Sequence, residues 1–124
     1  MDDLCYLLKD AKGAGVYSLN CTLDALHESV QRAGFSLFEV DIATAHGKGE
    51  VLAEMARAIQ APEWFGHNWD ALADALGDLS WNKAPGYVLL LRGEHTGEAI
   101  LDDILNATVD FWRMQGKPFW VFFA

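Results

Sequence analysis

Tyr87-Val88-Leu89-Leu90-Leu91 is a continuous apolar run that follows Pro85-Gly86. A strand with no polar face must be covered on both sides, as in a parallel sheet sandwiched by helices. Downstream, Ile100, Leu101, Ile104, Leu105, Val109 and Trp112 recur at helical spacing within Thr96 to Met114. Gly116 is placed to cap that helix, and Phe119 to Phe123 reads as a last buried strand. Upstream, Trp81 to Gly86 reads as a turn. Trp69, Leu72, Ala73 and Leu76 form the apolar side of a helix that starts after Asn68 and is expected to end near Gly77.

Further upstream, Val51, Leu52, Met55, Ala58 and Ile59 mark another amphipathic helix, with Pro62 to stop it and a Gly-containing loop at 43–49 before it. Phe35 to Ile42 is dense in aromatic and β-branched residues and reads as a strand. Before it, Leu23, Leu26, Val30 and Ala33 make a helical stripe between the cap-type residues Asn20 and Thr22 and the terminating Gly34. Val16 to Leu19 reads as a short strand, and residues 2–14 as a short helix or a docked arm. The order is strand, helix, strand, two helices, strand, helix, strand. Alternation of this kind predicts a parallel sheet with right-handed crossovers.

The chain has 124 residues, 52% hydrophobic and 22% charged, which sets the expectation of one globular domain. Nine basic and 18 acidic residues give a formal charge of −9. Such a surface repels phosphate backbones and attracts basic ones, faster at low salt. Direct nucleic-acid binding is therefore not expected. The N-terminal Met1-Asp2-Asp3 start and the short Leu4 to Leu8 run do not make a secretory signal, and no window reaches a membrane span. Cys5 and Cys21 lie outside any CxxC or metal-type spacing and read as reduced thiols in a cytoplasmic protein, with a regulatory disulfide between them as the alternative.

Nucleotide-binding glycine motifs and the GxSxG elbow are absent. The cysteines lack the histidine partner that a thiol nucleophile requires. His27, His46 and His95 have no discernible partners and read as surface residues, as do Asp102 and Asp103, while Trp112 and Trp120 fit a core. No catalytic residue and no cofactor is expected.

One segment stands apart. Residues 62–78 read Pro-Glu-Trp-Phe-Gly-His-Asn-Trp-Asp-Ala-Leu-Ala-Asp-Ala-Leu-Gly-Asp. Asp70, Asp74 and Asp78 fall at i, i+4 and i+8, which stacks three carboxylates along one helix face about 6 Å apart. Like charges at this spacing cost helix stability. Asp70 regains some of that from the helix dipole and Asp78 does not. Carboxylates beside Trp64, Phe65 and Trp69 fit a surface built for a cationic partner, with a spacing that imitates successive phosphates. Two other readings stay open: a merely solvated helix face, and a metal site from Glu63, His67, Asp70 and Asp74, which has no second helical histidine to complete it.

Phe65-Gly66-His67-Asn68-Trp69-Asp70-Ala71-Leu72-Ala73-Asp74 resembles the motif of the barstar family of intracellular ribonuclease inhibitors. The family pattern is aromatic, Gly, any residue, Asn, aromatic or apolar, Asp-Ala-Leu, any residue, Asp. The resemblance runs from about Phe35 to the C-terminus. It implies a three-layer α/β fold: a small parallel sheet of three or four strands flanked by helices. Residues 1–34 would be an extension, an extra strand-helix unit, and 35–124 the barstar-like part of one compact domain.

The resemblance also implies an inhibitor, not an enzyme, that plugs the active site of a small basic ribonuclease and serves as its immunity partner. Asp70 and Asp74 would be the main contacts, with Trp64, Phe65, Gly66, His67, Asn68, Trp69 and Asp78 around them. Ala73 departs from the family, which has an aromatic there. Gly77 and Asp78 replace a hydroxyl and a glycine. Phe111 falls where an acidic contact of the last helix would stand, with Asp110 adjacent. The alternatives are an interaction module for another basic protein and a metal-dependent hydrolase.

Overall fold

The computed structural model describes residues 8, 10, 13–43, 47–61, 68–93 and 99–124, with Lys48 as backbone only. Eight elements follow in the expected order: β1 (Val16–Ser18), α1 (Leu23–Ala33), β2 (Ser36–Asp41), α2 (Gly47–Ile59), α3 (Trp69–Asp78), β3 (Tyr87–Arg92), α4 (Ala99–Met114) and β4 (Phe119–Phe123). The four strands form one sheet in the order β1-β4-β3-β2, and every pair is parallel. This is a three-layer α/β fold.

Topology and handedness together place the helices. From β1 the chain crosses the whole sheet to β2, then steps back through β3 to β4. Right-handed crossovers therefore put α1 on one face and α2, α3 and α4 on the other. Side-chain alternation along β2 agrees. Glu39 accepts a hydrogen bond from His27 of α1, while Phe38 stacks on Tyr87, whose ring lies 5.2 Å from that of Trp112 on α4.

The apolar run of β3 is the centre of the molecule. Tyr87 to Leu91 are all buried, with β2 on one side and β4 on the other. Trp120 and Phe122 of β4 share the α1 face with Tyr17, and their rings pack within 6.4 Å of one another. Leu8 is buried there too, and its carbonyl accepts the Trp120 Nε1–H at 2.7 Å.

Local chemistry fixes several boundaries as read from the sequence. Thr22 caps α1 by accepting the Ala25 N–H, and Gly34 ends it in left-handed geometry. Gly93, at φ +115, lies so close to the end of β2 that a Cβ would sit 2.6 Å from the Ala43 nitrogen. Only glycine fits there.

Two expectations are corrected. The helix α2 begins at Gly47, inside the stretch read as loop, and ends at Ile59 where Gln60 turns left-handed at φ 55, two residues ahead of Pro62. The helix α3 ends at Asp78, near Gly77 as expected, and Leu79 carries the left-handed cap at φ 48 with its side chain fully buried. Burial of the leucine holds a conformation that its Cβ disfavours. Cys21 is disulfide-bonded rather than a free thiol, and the one other cysteine of the sequence is Cys5.

Candidate protein-binding surface

The helix α3 is positioned by its neighbours at both ends. Asn68 has extended backbone geometry, and its Oδ1 accepts the Ala71 N–H at 2.8 Å, which satisfies one of the unpaired N–H groups of the first turn. At the other end, the Trp112 indole donates to the Leu76 carbonyl at 2.8 Å, across to α4. The Trp81 indole does the same for the last carbonyl of α2, Ile59, at 2.9 Å. Both acceptors are helix-end carbonyls; each indole supplies one with a donor, tying α4 to α3 in the first case and the turn after α3 to α2 in the second.

One side of α3 is core. Leu72, Ala75 and Leu76 are buried, and Trp69 is half-buried against them. The opposite side carries Asp70, Asp74 and Asp78, all exposed. Ser80 donates its hydroxyl to Asp78 at 3.3 Å. Among the described residues no cation pairs with Asp70 or Asp74. The helix contains three aspartates and no basic residue. Asp70 stands in the first turn, where the dipole favours an anion; Asp78 stands in the last, where it does not.

Of the other residues singled out in the sequence, Trp64, Phe65, Gly66 and His67 lie outside the described residues, as do Glu63, His46 and His95. Asn68 and Trp69 are brought beside the carboxylates, but each also has a structural duty, one as a cap and one as core. His27 is bonded to Glu39 on the α1 side of the sheet, away from α3. Trp112 and Trp120 are buried, as their spacing predicts.

Sequence reasoning missed the contribution of α4. A groove of about 350 Å³ runs between α3 and α4, lined by Ala73, Asp74 and Gly77 on one side and by Ile104, Ala107, Thr108 and Phe111 on the other. Thr108 turns its hydroxyl back to the Ile104 carbonyl at 2.8 Å, so it offers the groove no free donor. Phe111 is 42% exposed and packs edge-on against Trp112. Ile100, Ile104 and Phe111 had read as one more core stripe or as a simple departure. Their spacing of four and seven was the available signal: it places them on one side of α4, and Ile100 is 43% exposed.

A family model described as Barstar (barnase inhibitor) matches residues 35–124, from the start of β2 to the end of the chain. That is more than two thirds of the chain, and the protein belongs to the barstar family. No curated protein is similar enough to count as a match. The unit β1–α1 precedes the matched range. No helix among the described residues is long and apolar enough to cross a membrane.

Proposed function

We propose that this protein inhibits a small basic ribonuclease by laying α3 across its active site, with Asp70 and Asp74 paired to the cationic groups that otherwise hold RNA phosphates. The observation that carries this reading is the pair itself. Two exposed carboxylates stand one helical turn apart on a helix fixed at both ends, with no cation among the described residues to neutralise them. A protein that kept such a ladder only for solubility would gain stability by breaking it up. Family membership supports the same conclusion, because the family is described by its inhibition of barnase. The chain performs no chemistry in this mechanism: it excludes substrate by occupying the site. As an immunity partner it would act in the cytoplasm, where the ribonuclease is made.

The test is cleavage of a fluorogenic RNA by barnase, titrated with the wild-type protein and with Asp70→Ala and Asp74→Ala. Stoichiometric inhibition by wild type is expected. Each substitution should weaken it by about 2 kcal/mol or more, roughly 30-fold in Kd, because the partner's cation is left desolvated and unpaired. Added salt should slow association. Inhibition that is equal for all three proteins would remove the carboxylates from the mechanism. No inhibition of barnase together with full inhibition of another small basic ribonuclease would keep the mechanism and change the target.

A further inference from the structure

The groove between α3 and α4 differs from the acidic helix face in being lined mostly by apolar side chains. Small residues, Ala73 and Gly77 on α3 and Ala107 on α4, line it together with Ile104, Thr108 and Phe111. Asp74 stands at the rim. Small side chains on both helices leave about 350 Å³ between them. Phe111, 42% exposed, brings an aromatic edge to this space.

Charge identifies the occupant. The helices α3 and α4 together carry six aspartates and one arginine. That arginine, Arg113, is held by Asp110 at 2.9 Å and donates to the Ala14 carbonyl. The whole chain carries −9, so a second copy docking here would meet like charge. A basic partner meets the opposite sign.

We propose that this groove receives one apolar side chain of a basic partner, with an adjacent lysine or arginine of that partner paired to Asp74. This deepens, and rests on, the reading of α3 as the contact helix. It adds the partner's chemistry: a cationic surface with an apolar or aromatic knob next to the charge. The apolar contact supplies affinity by burial, and the carboxylate fixes orientation.

The experiment is an NMR titration of the isotopically labelled full chain with three capped tripeptides: Lys-Trp-Lys, Lys-Ala-Lys and Glu-Trp-Glu. Lys-Trp-Lys should produce saturable shifts at Ala73, Gly77, Ala107 and Phe111. The other two should bind about tenfold more weakly, the size of one buried apolar side chain or one lost charge pair. Gly77→Leu and Ala107→Leu each fill the groove from a different helix. A Cβ at Gly77 meets nothing within 4 Å, so the fold accommodates the change. Both variants should lose the groove shifts while Lys-Ala-Lys still perturbs Asp70 and Asp74. Equal shifts from Lys-Trp-Lys and Lys-Ala-Lys, or unchanged Lys-Trp-Lys binding in both leucine variants, would overturn the proposal. Since no ribonuclease is present, these outcomes are independent of whether the protein inhibits one.

Discussion

The Trp112 indole nitrogen lies 2.8 Å from the carbonyl oxygen of Leu76, and this one bond joins the last turn of α3 to α4. The same ring packs 5.2 Å from Tyr87 in the central strand. Trp112 thus links the sheet, α4 and the acidic helix. Trp112→Phe keeps an aromatic ring there and removes the donor. The Leu76 carbonyl is then unpaired in a buried setting, at a cost of about 1–3 kcal/mol. Urea unfolding should show the loss as a lower midpoint. The groove between α3 and α4 should loosen with it, seen as faster amide exchange in the last turn of α3.

Asn68 separates a structural role from a binding one. Its side chain caps α3, so Asn68→Ala should cost about 1 kcal/mol in stability. Asn68→Asp keeps the acceptor and adds a charge at the favourable end of the dipole, so it should be at least as stable as wild type. If Asn68 serves only as a cap, Asn68→Asp inhibits ribonuclease as well as wild type does. If it also touches the partner, inhibition falls while the melting temperature does not. Thermal melts and inhibition titrations on the same two variants decide this.

Much of the fold was legible because it follows from short-range rules. The run from Tyr87 to Leu91 has no polar residue, so it had to be a central strand. Thr22, Gly34 and Asn68 cap helices in the way that their side chains or missing Cβ dictate. The exposure of Asp70, Asp74 and Asp78 follows from helical period alone. What was not legible depends on distant parts of the chain. The end of α3 near Gly77 was legible, but not that the left-handed cap falls on Leu79, whose geometry is set by what its side chain is buried against. The start of α2 at Gly47 was hidden because the first turn carries no apolar pattern. The disulfide at Cys21 depends on proximity in space, which no spacing motif encodes. The groove needed both helices: Ala73 and Gly77 are only small residues until Ile104 and Phe111 are seen opposite them.

Tyr87 predicts an alkaline limit to stability. Burial raises its hydroxyl above the ordinary value of 10.0, and the hydrogen bond from the Ala84 N–H lowers it by less. The unfolded chain loses this proton near the ordinary value, while the folded chain keeps it to higher pH. The stability from the neutral hydroxyl is therefore whole below pH 10.0 and is lost as pH rises through the folded value. Tyr87→Phe should flatten that decline. At neutral pH it should cost about 1 kcal/mol, because the Asn82 carbonyl loses its donor and the Ala84 N–H its acceptor. Denaturant midpoints of both proteins, measured on either side of pH 10.0, test the slope and the offset separately.

The aspartate ladder predicts opposite effects on stability and binding. Asp74 has a like charge one turn away on each side, and relief of both repulsions plus the better helix propensity of alanine should make Asp74→Ala more stable by roughly 0.5–1 kcal/mol. Asp78→Lys should gain about 0.5 kcal/mol for a related reason, since it puts a cation at the negative end of the α3 dipole. Asp70→Ala should be close to neutral, because the lost dipole interaction offsets the lost repulsion. Both gains should shrink in high salt, as exposed charges are screened. A helix that becomes more stable when its middle carboxylate is removed holds that charge for something other than folding. Melting curves at low and high salt, run beside the ribonuclease titration, should then show Asp74→Ala as the variant that gains stability and loses inhibition. Destabilisation by Asp74→Ala would instead mean that the carboxylate supports the fold, and the functional reading of the ladder would lose its physical basis.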